Sequence, residues 1–168
     1  MKPLSRPLLM VDIDGVISLF GVSMDGRSEG APAEGSFHAI EGIPHFLSAT
    51  AAAHLLSLES QFDIVWASGW EEKAEEHLPR LLGLPSGLPF LIFPRSVGCA
   101  NAHWKLDTID TYAGDRPLAW VDDALNPACH EWAAARRAPT LLVQTVPELG
   151  LTSGEVEQLT EWAASLGR

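Results

Sequence analysis

Short apolar runs alternate along the chain with longer stretches of helical period. The runs are Leu8-Leu9-Met10-Val11, Phe62 to Ala67, Phe90-Leu91-Ile92-Phe93, Leu118 to Val121 and Thr140 to Gln144, and each reads as a buried strand. Helical spacing covers Thr50 to Glu59, Glu71 to Leu82, Ala102 to Tyr112, Pro127 to Arg137 and Ser153 to Leu166. This alternation predicts an α/β fold: a three-layer sandwich around a five-stranded parallel Rossmann-like sheet, with right-handed crossovers and a ligand site at the strand ends. Gly21 to Gly42, rich in Gly, Ser, Ala and Pro, reads as a flap over that site and is too short for a helical cap. Between Ser68 and Lys105 a helix, a strand and a loop use up the chain, so the site is expected to be open.

Composition narrows this to one domain over 1–168: 46% of the 168 residues are hydrophobic and 20% charged, enough for one substantial core. The first seven residues lead straight into a strand and are expected to be neither a signal nor a transit peptide, and no apolar run approaches spanning length. A cytoplasmic location is the resulting expectation, with Cys99 and Cys129 as reduced thiols, since they lack metal-ligand spacing. The formal net charge of -11 excludes an extended basic surface for nucleic acid, so any such contact must be local.

Chemistry collects where the runs end. Asp12 and Asp14 close the first run and are followed by Gly15, so alternation sends both carboxylates to one face while the glycine lets the chain turn sharply. Asp-x-Asp-Gly alone would be an ordinary solvated turn. Here it is joined by Ser68-Gly69 after the second run, by Lys105 near the start of a helix, and by Asp122-Asp123 after the fourth run. Two carboxylates about 4 Å apart repel by roughly 4 kcal/mol at an effective dielectric near 20, so converging acids require a cation. Oxygen-only ligands in an open site favour magnesium over zinc.

This ordered set resembles the haloacid dehalogenase (HAD) superfamily of phosphohydrolases. The Trp-flanked versions Val65-Trp66-Ala67-Ser68-Gly69-Trp70, Trp104-Lys105-Leu106 and Leu118-Ala119-Trp120-Val121-Asp122-Asp123 look like the branch found in Swiss Army Knife RNA repair proteins. The resemblance spans most of the chain and implies the strand order third, second, first, fourth, fifth. It also implies a magnesium-dependent phosphatase in which Asp12 is the nucleophile forming an aspartyl phosphate and Asp14 is the acid, then the base. Ser68, Gly69 and Lys105 would hold the phosphoryl oxygens, and Asp12, the Asp14 carbonyl, Asp122 and Asp123 the metal, with the direct ligand of the adjacent pair left open.

A capless core resembles enzymes that act on bulky phosphates, so the expected partner is a phosphorylated substrate such as a nucleic-acid end, and no membrane. A small-molecule nucleotidase or phosphatase is the alternative, followed by a phosphoacceptor domain of receiver type and a silent interaction domain. The receiver reading suffers because its acceptor lies on a middle strand, and the silent one because no motif position is missing. Arg95, in the loop after the third run, is a candidate for binding a second phosphate. Trp70 and Trp104 could stack on a ring but read first as core, as do Trp66, Trp120, Trp132 and Trp162. His38, His45, His54, His77, His103 and His130 show no zinc spacing and receive no chemical role.

Overall fold

A computed structural model describes residues 5–22, 34–94 and 101–167. Its parallel sheet contains β1 (Leu8–Val11), β5 (Asp63–Trp66), β6 (Leu118–Asp122) and β7 (Thr140–Gln144) in the order β5-β1-β6-β7. β1 is central because all four of its side chains are buried, two toward each face. Leu9 and Val11 join Ile64, Trp66, Ala119 and Val121 in one core, against α1 (Ala49–Leu58), α2 (Glu72–Leu82) and α5 (Ser153–Ser165). Leu8 and Met10 join Val65, Leu118 and Trp120 in the other, against α3 (Leu106–Ala113) and α4 (Pro127–Ala135). The period of two along a strand thus feeds both layers of helices.

Among the described residues the sheet has four strands and not the expected five. At Phe90–Phe93 the chain makes one parallel bridge, Phe90 to Trp66, with the Trp66 N–H donating to the Pro89 carbonyl (2.9 Å) and the Leu91 N–H to the Trp66 carbonyl (2.9 Å). Pro89 has no N–H to continue a ladder and Pro94 closes the run, so Leu91 and Phe93 are buried while Ile92 is 66% exposed. The segment occupies the edge position that the resemblance gave to the third strand without forming one.

Three further strands escaped the periodicity. β2 (Ser18–Leu19), β3 (Gly35–Ile40) and β4 (Ile43–Ser48) form an antiparallel sheet in the order β2-β4-β3. Glu41 and Gly42, with φ of 52° and 79°, make the two-residue turn between β3 and β4, matching the twist of a tight hairpin. Of the segment 21–42 expected as a flap, residues 23–33 lie outside the described ones and 35–42 are strand and turn. β4 runs directly into α1, whose first turn is capped by Ser48, its Oγ accepting from the Ala51 N–H at 3.0 Å. The expected helix over Ala102 to Tyr112 is divided into a 3₁₀ turn, Ala102–Lys105, and α3. Among the described residues no helix is long and apolar enough to cross a membrane.

Candidate active site

The polar residues that follow β1, β5 and β6 emerge at the same edge of the sheet because parallel strands in register end together. Asp12 follows β1, its N–H held by the Val121 carbonyl (3.0 Å), and Ala67 is held by the Val11 carbonyl (2.8 Å), which brings Ser68 alongside. Asp122 ends β6. Beyond β1 the chain must turn at once: Gly15 has φ of 77°, and its N–H donates to the Ser18 carbonyl at 2.7 Å. A Cβ at Gly15 would lie 2.3 Å from Cγ of Asp123, so the glycine makes room for that carboxylate as well as for the turn.

Lys105 reaches this edge from the 3₁₀ turn, whose first N–H, at Ala102, donates to the Ala124 carbonyl (2.9 Å) just beyond the acidic pair. Its Nζ is 2.6 Å from Oδ2 of Asp122 and 3.0 Å from Oδ1 of Asp12, and all three residues are buried. Asp122 is fully engaged, its Oδ1 accepting the Ala124 N–H at 2.9 Å. Asp12, Asp122 and Asp123 each offer a carboxylate oxygen within 4.8 Å of the others. Together with Asp14, Ser68, Gly69 and Trp104 they line one cleft of about 320 Å³.

Three carboxylates against one ammonium leave this cluster with a formal charge of -2. Burial pushes the Asp12 carboxyl up to about 7, with Asp122 adding to the shift and Lys105 opposing it. Burial and then the Asp122 charge push Asp123 up to about 6. For Lys105 burial works to lower the pKa, but Asp12 and Asp122 outweigh it and the net direction is upward. A divalent cation beside Asp12, Asp122 and Asp123 would cancel the excess charge. The donor set, oxygen alone in a tight triangle, suits a hard ion such as magnesium.

Asp14 stands apart from the triangle. Its Oδ2 accepts the Trp70 indole N–H at 3.1 Å, and His45 lies 3.9 Å from its Oδ1. Burial raises its pKa, against the opposing influence of Trp70 and His45. Ser68 is buried at the base of the cleft with its Oγ accepting the Trp70 N–H at 3.2 Å, and Gly69 beside it is exposed.

The structure therefore brings together Asp12, Asp14, Ser68, Gly69, Lys105, Asp122 and Asp123, while Arg95 lies outside the described residues. Trp70 is nearly buried, and Trp104 is partly exposed on the cleft wall, packed edge-on against Phe93 with Lys105 Nζ 5.5 Å from its ring centroid. One cleft residue and one neighbour of Asp14 have no signal in the sequence pattern. Phe20, 50% exposed at the cleft, follows the two-residue strand β2, and His45, beside Asp14, lies on β4, a run interrupted by Pro44 that has no strand period.

No curated protein matches the chain. A family model described as the HAD domain in Swiss Army Knife RNA repair proteins matches residues 8–156, from the first residue of β1 into α5, and so spans every residue of the cleft. The chain belongs to this family of HAD domains.

Proposed function

We propose that the protein is a magnesium-dependent phosphohydrolase that removes a phosphate from the end of a large substrate, such as a nucleic-acid strand, through a phosphoenzyme on Asp12. Family membership points to phosphohydrolase chemistry. The observation that carries the reading is the grouping of Asp12, Asp122 and Asp123 around one position, with Lys105 bonded to two of them and Ser68 in the same cleft.

Each residue then has a task set by its place. The Asp12 carboxylate attacks phosphorus, the bond from phosphorus to the leaving oxygen breaks, and Asp14 gives that oxygen its proton. A water next attacks phosphorus of the aspartyl phosphate and passes its proton to Asp14, which frees Asp12 and inorganic phosphate. Lys105 and the Ser68 hydroxyl hold the phosphoryl oxygens in line for both displacements, which is most of what phosphoryl transfer asks of a protein. Magnesium, when bound by Asp12, the Asp14 carbonyl and the acidic pair, supplies the positive charge that lets a phosphate dianion enter beside carboxylates.

The substrate class is argued from the cleft's rim. Phe20 and Trp104 offer ring surface beside the phosphate position, where a base or sugar of a terminal nucleotide would lie. With a net charge of -11 the rest of the surface offers a polynucleotide little, so recognition is confined to the end.

The test compares turnover of an aryl phosphate, a mononucleotide and an end-phosphorylated oligonucleotide, each with magnesium and with chelator. The expected result is turnover that stops on chelation and returns with magnesium, favours the oligonucleotide, and leaves acid-stable phosphate on Asp12 but none on Asp12→Asn. Turnover that survives chelation or the Asn substitution overturns the mechanism. A mononucleotide preferred by more than about tenfold, roughly 1.4 kcal/mol of transition-state discrimination, replaces the strand-end reading with a small-molecule nucleotidase.

A further inference from the structure

The Asp14 carboxyl is addressed at both oxygens by residues that belong to neither the acidic cluster nor its lysine. Trp70 donates its indole N–H to Oδ2 at 3.1 Å, and because an indole N–H can only donate, Oδ2 is an acceptor in every protonation state. Oδ1 is buried and makes no hydrogen bond among the described residues, and the ring nitrogen Nδ1 of His45 lies 3.9 Å from it. That nitrogen is itself located by Ser18 Oγ at 3.0 Å, and the His45 ring packs edge-on against Trp70, centroids 4.9 Å apart and planes at 69°. The three side chains thus hold one another: Trp70 follows β5, His45 sits on β4, and Ser18 on β2.

We propose that Trp70 and His45 are positioning residues for Asp14, fixing the plane of the carboxyl that protonates the leaving oxygen, so that the β2-β4-β3 sheet is part of the reaction site. The terminal torsion of an aspartate is broad and two-fold, and a carboxyl without neighbours would spread its proton over a wide arc. A general acid must present that proton within hydrogen-bond reach of one oxygen, and small errors of placement cost rate steeply. Contacts on both sides of the carboxyl restrict the torsion. His45 acts from the hairpin, which makes acid catalysis depend on that hairpin being seated.

The inference rests on the phosphohydrolase reading, and its kinetic test uses the chemistry of the leaving group. In His45→Ala and Trp70→Phe, kcat/KM is measured with an end-phosphorylated oligonucleotide, whose alcohol must be protonated to leave, and with an aryl phosphate, whose phenolate leaves unaided. The expected loss is about tenfold or more on the oligonucleotide and under about threefold on the aryl ester. His45→Asn, which returns an N–H near the Nδ1 position, recovers most of it. Equal losses on both esters, or none on the oligonucleotide, overturn the proposal, since a merely structural role does not distinguish leaving groups. A second measurement needs no turnover and so separates this inference from the activity itself. The unfolding stabilities of His45→Ala, Asp14→Asn and the double variant are expected to be non-additive, and strict additivity overturns the positioning role even in a protein that hydrolyses nothing.

Discussion

At Lys105 one buried ammonium serves two buried carboxylates, so its removal leaves Asp12 and Asp122 facing each other without a cation. Lys105→Met keeps the volume of the stem and its packing beside Trp104 while deleting the charge. Without divalent cation the variant is expected to lose about 3–5 kcal/mol in urea unfolding, the usual result of breaking a buried pair from one side. Saturating magnesium should restore much of that stability and none of the turnover, because the ion replaces the charge but not the phosphoryl ligand. An unchanged urea midpoint without cation would show that the ammonium is not what holds the acids together.

The same residues set a pH dependence whose direction is unusual for carboxylates. The folded state keeps a proton on Asp12 up to about 7 and on Asp123 up to about 6, whereas the unfolded chain releases both near 3.8. Folding therefore takes up protons between these limits, and the contribution of both groups to stability falls as pH rises from about 4 to about 7, then levels off. Melting temperatures between pH 5 and 8 are expected to decline without metal and to flatten with magnesium, which takes the place of the protons. A melting temperature that rises with pH in the cation-free protein would contradict the assignment.

At the scale of elements, the turn between β1 and β2 joins two tasks at Gly15. The positive φ and the 2.3 Å approach to Asp123 mean that a methyl group there strains the backbone and displaces a proposed metal ligand. The turn is pinned from β7's end too, where the Thr145 hydroxyl donates to the Gly15 carbonyl at 2.9 Å, so it has little freedom to yield. Gly15→Ala is expected to destabilise the fold by about 1–3 kcal/mol and to raise the magnesium concentration for half activity at least tenfold. Magnesium titrations of activity and of melting temperature check this together; an unaltered magnesium requirement would separate Asp123 from the metal.

For the molecule as a whole, the excess of 22 acidic over 11 basic residues opposes the approach of any polyanion. Salt commonly weakens nucleic-acid binding because basic faces release counterions; here the dominant long-range term is repulsion, and added salt screens it. Between low and physiological ionic strength, kcat/KM on an end-phosphorylated oligonucleotide should rise, with a smaller change on an aryl phosphate. A steep fall on the oligonucleotide would reveal a basic contact surface.

Legibility in the sequence followed the range of the interaction. β1, β5 and β6 could be read because strands covered on both faces must be apolar throughout, and the acids, serine and glycine at their ends interrupt those runs where burial stops. Helix spacing is just as local, which is why α1, α2, α4 and α5 start within a residue of their expected positions. The resemblance supplied strand order, which no local pattern contains. Tertiary structure alone decided that the Phe90–Phe93 run stays a single bridge, since an edge position with prolines at both ends cannot sustain a ladder. It alone decided that the mixed stretch from Gly35 to Ser48 becomes a hairpin, because its strands pair with each other while Ile40, Phe46 and Leu47 are buried only once the hairpin is seated. The contact of Trp70 with Asp14 spans 56 positions and that of Thr145 with Gly15 spans 130. Sequence by itself determined which atoms are available at the strand ends; which partners face them is set by side chains that meet only when the sheet and hairpin close together.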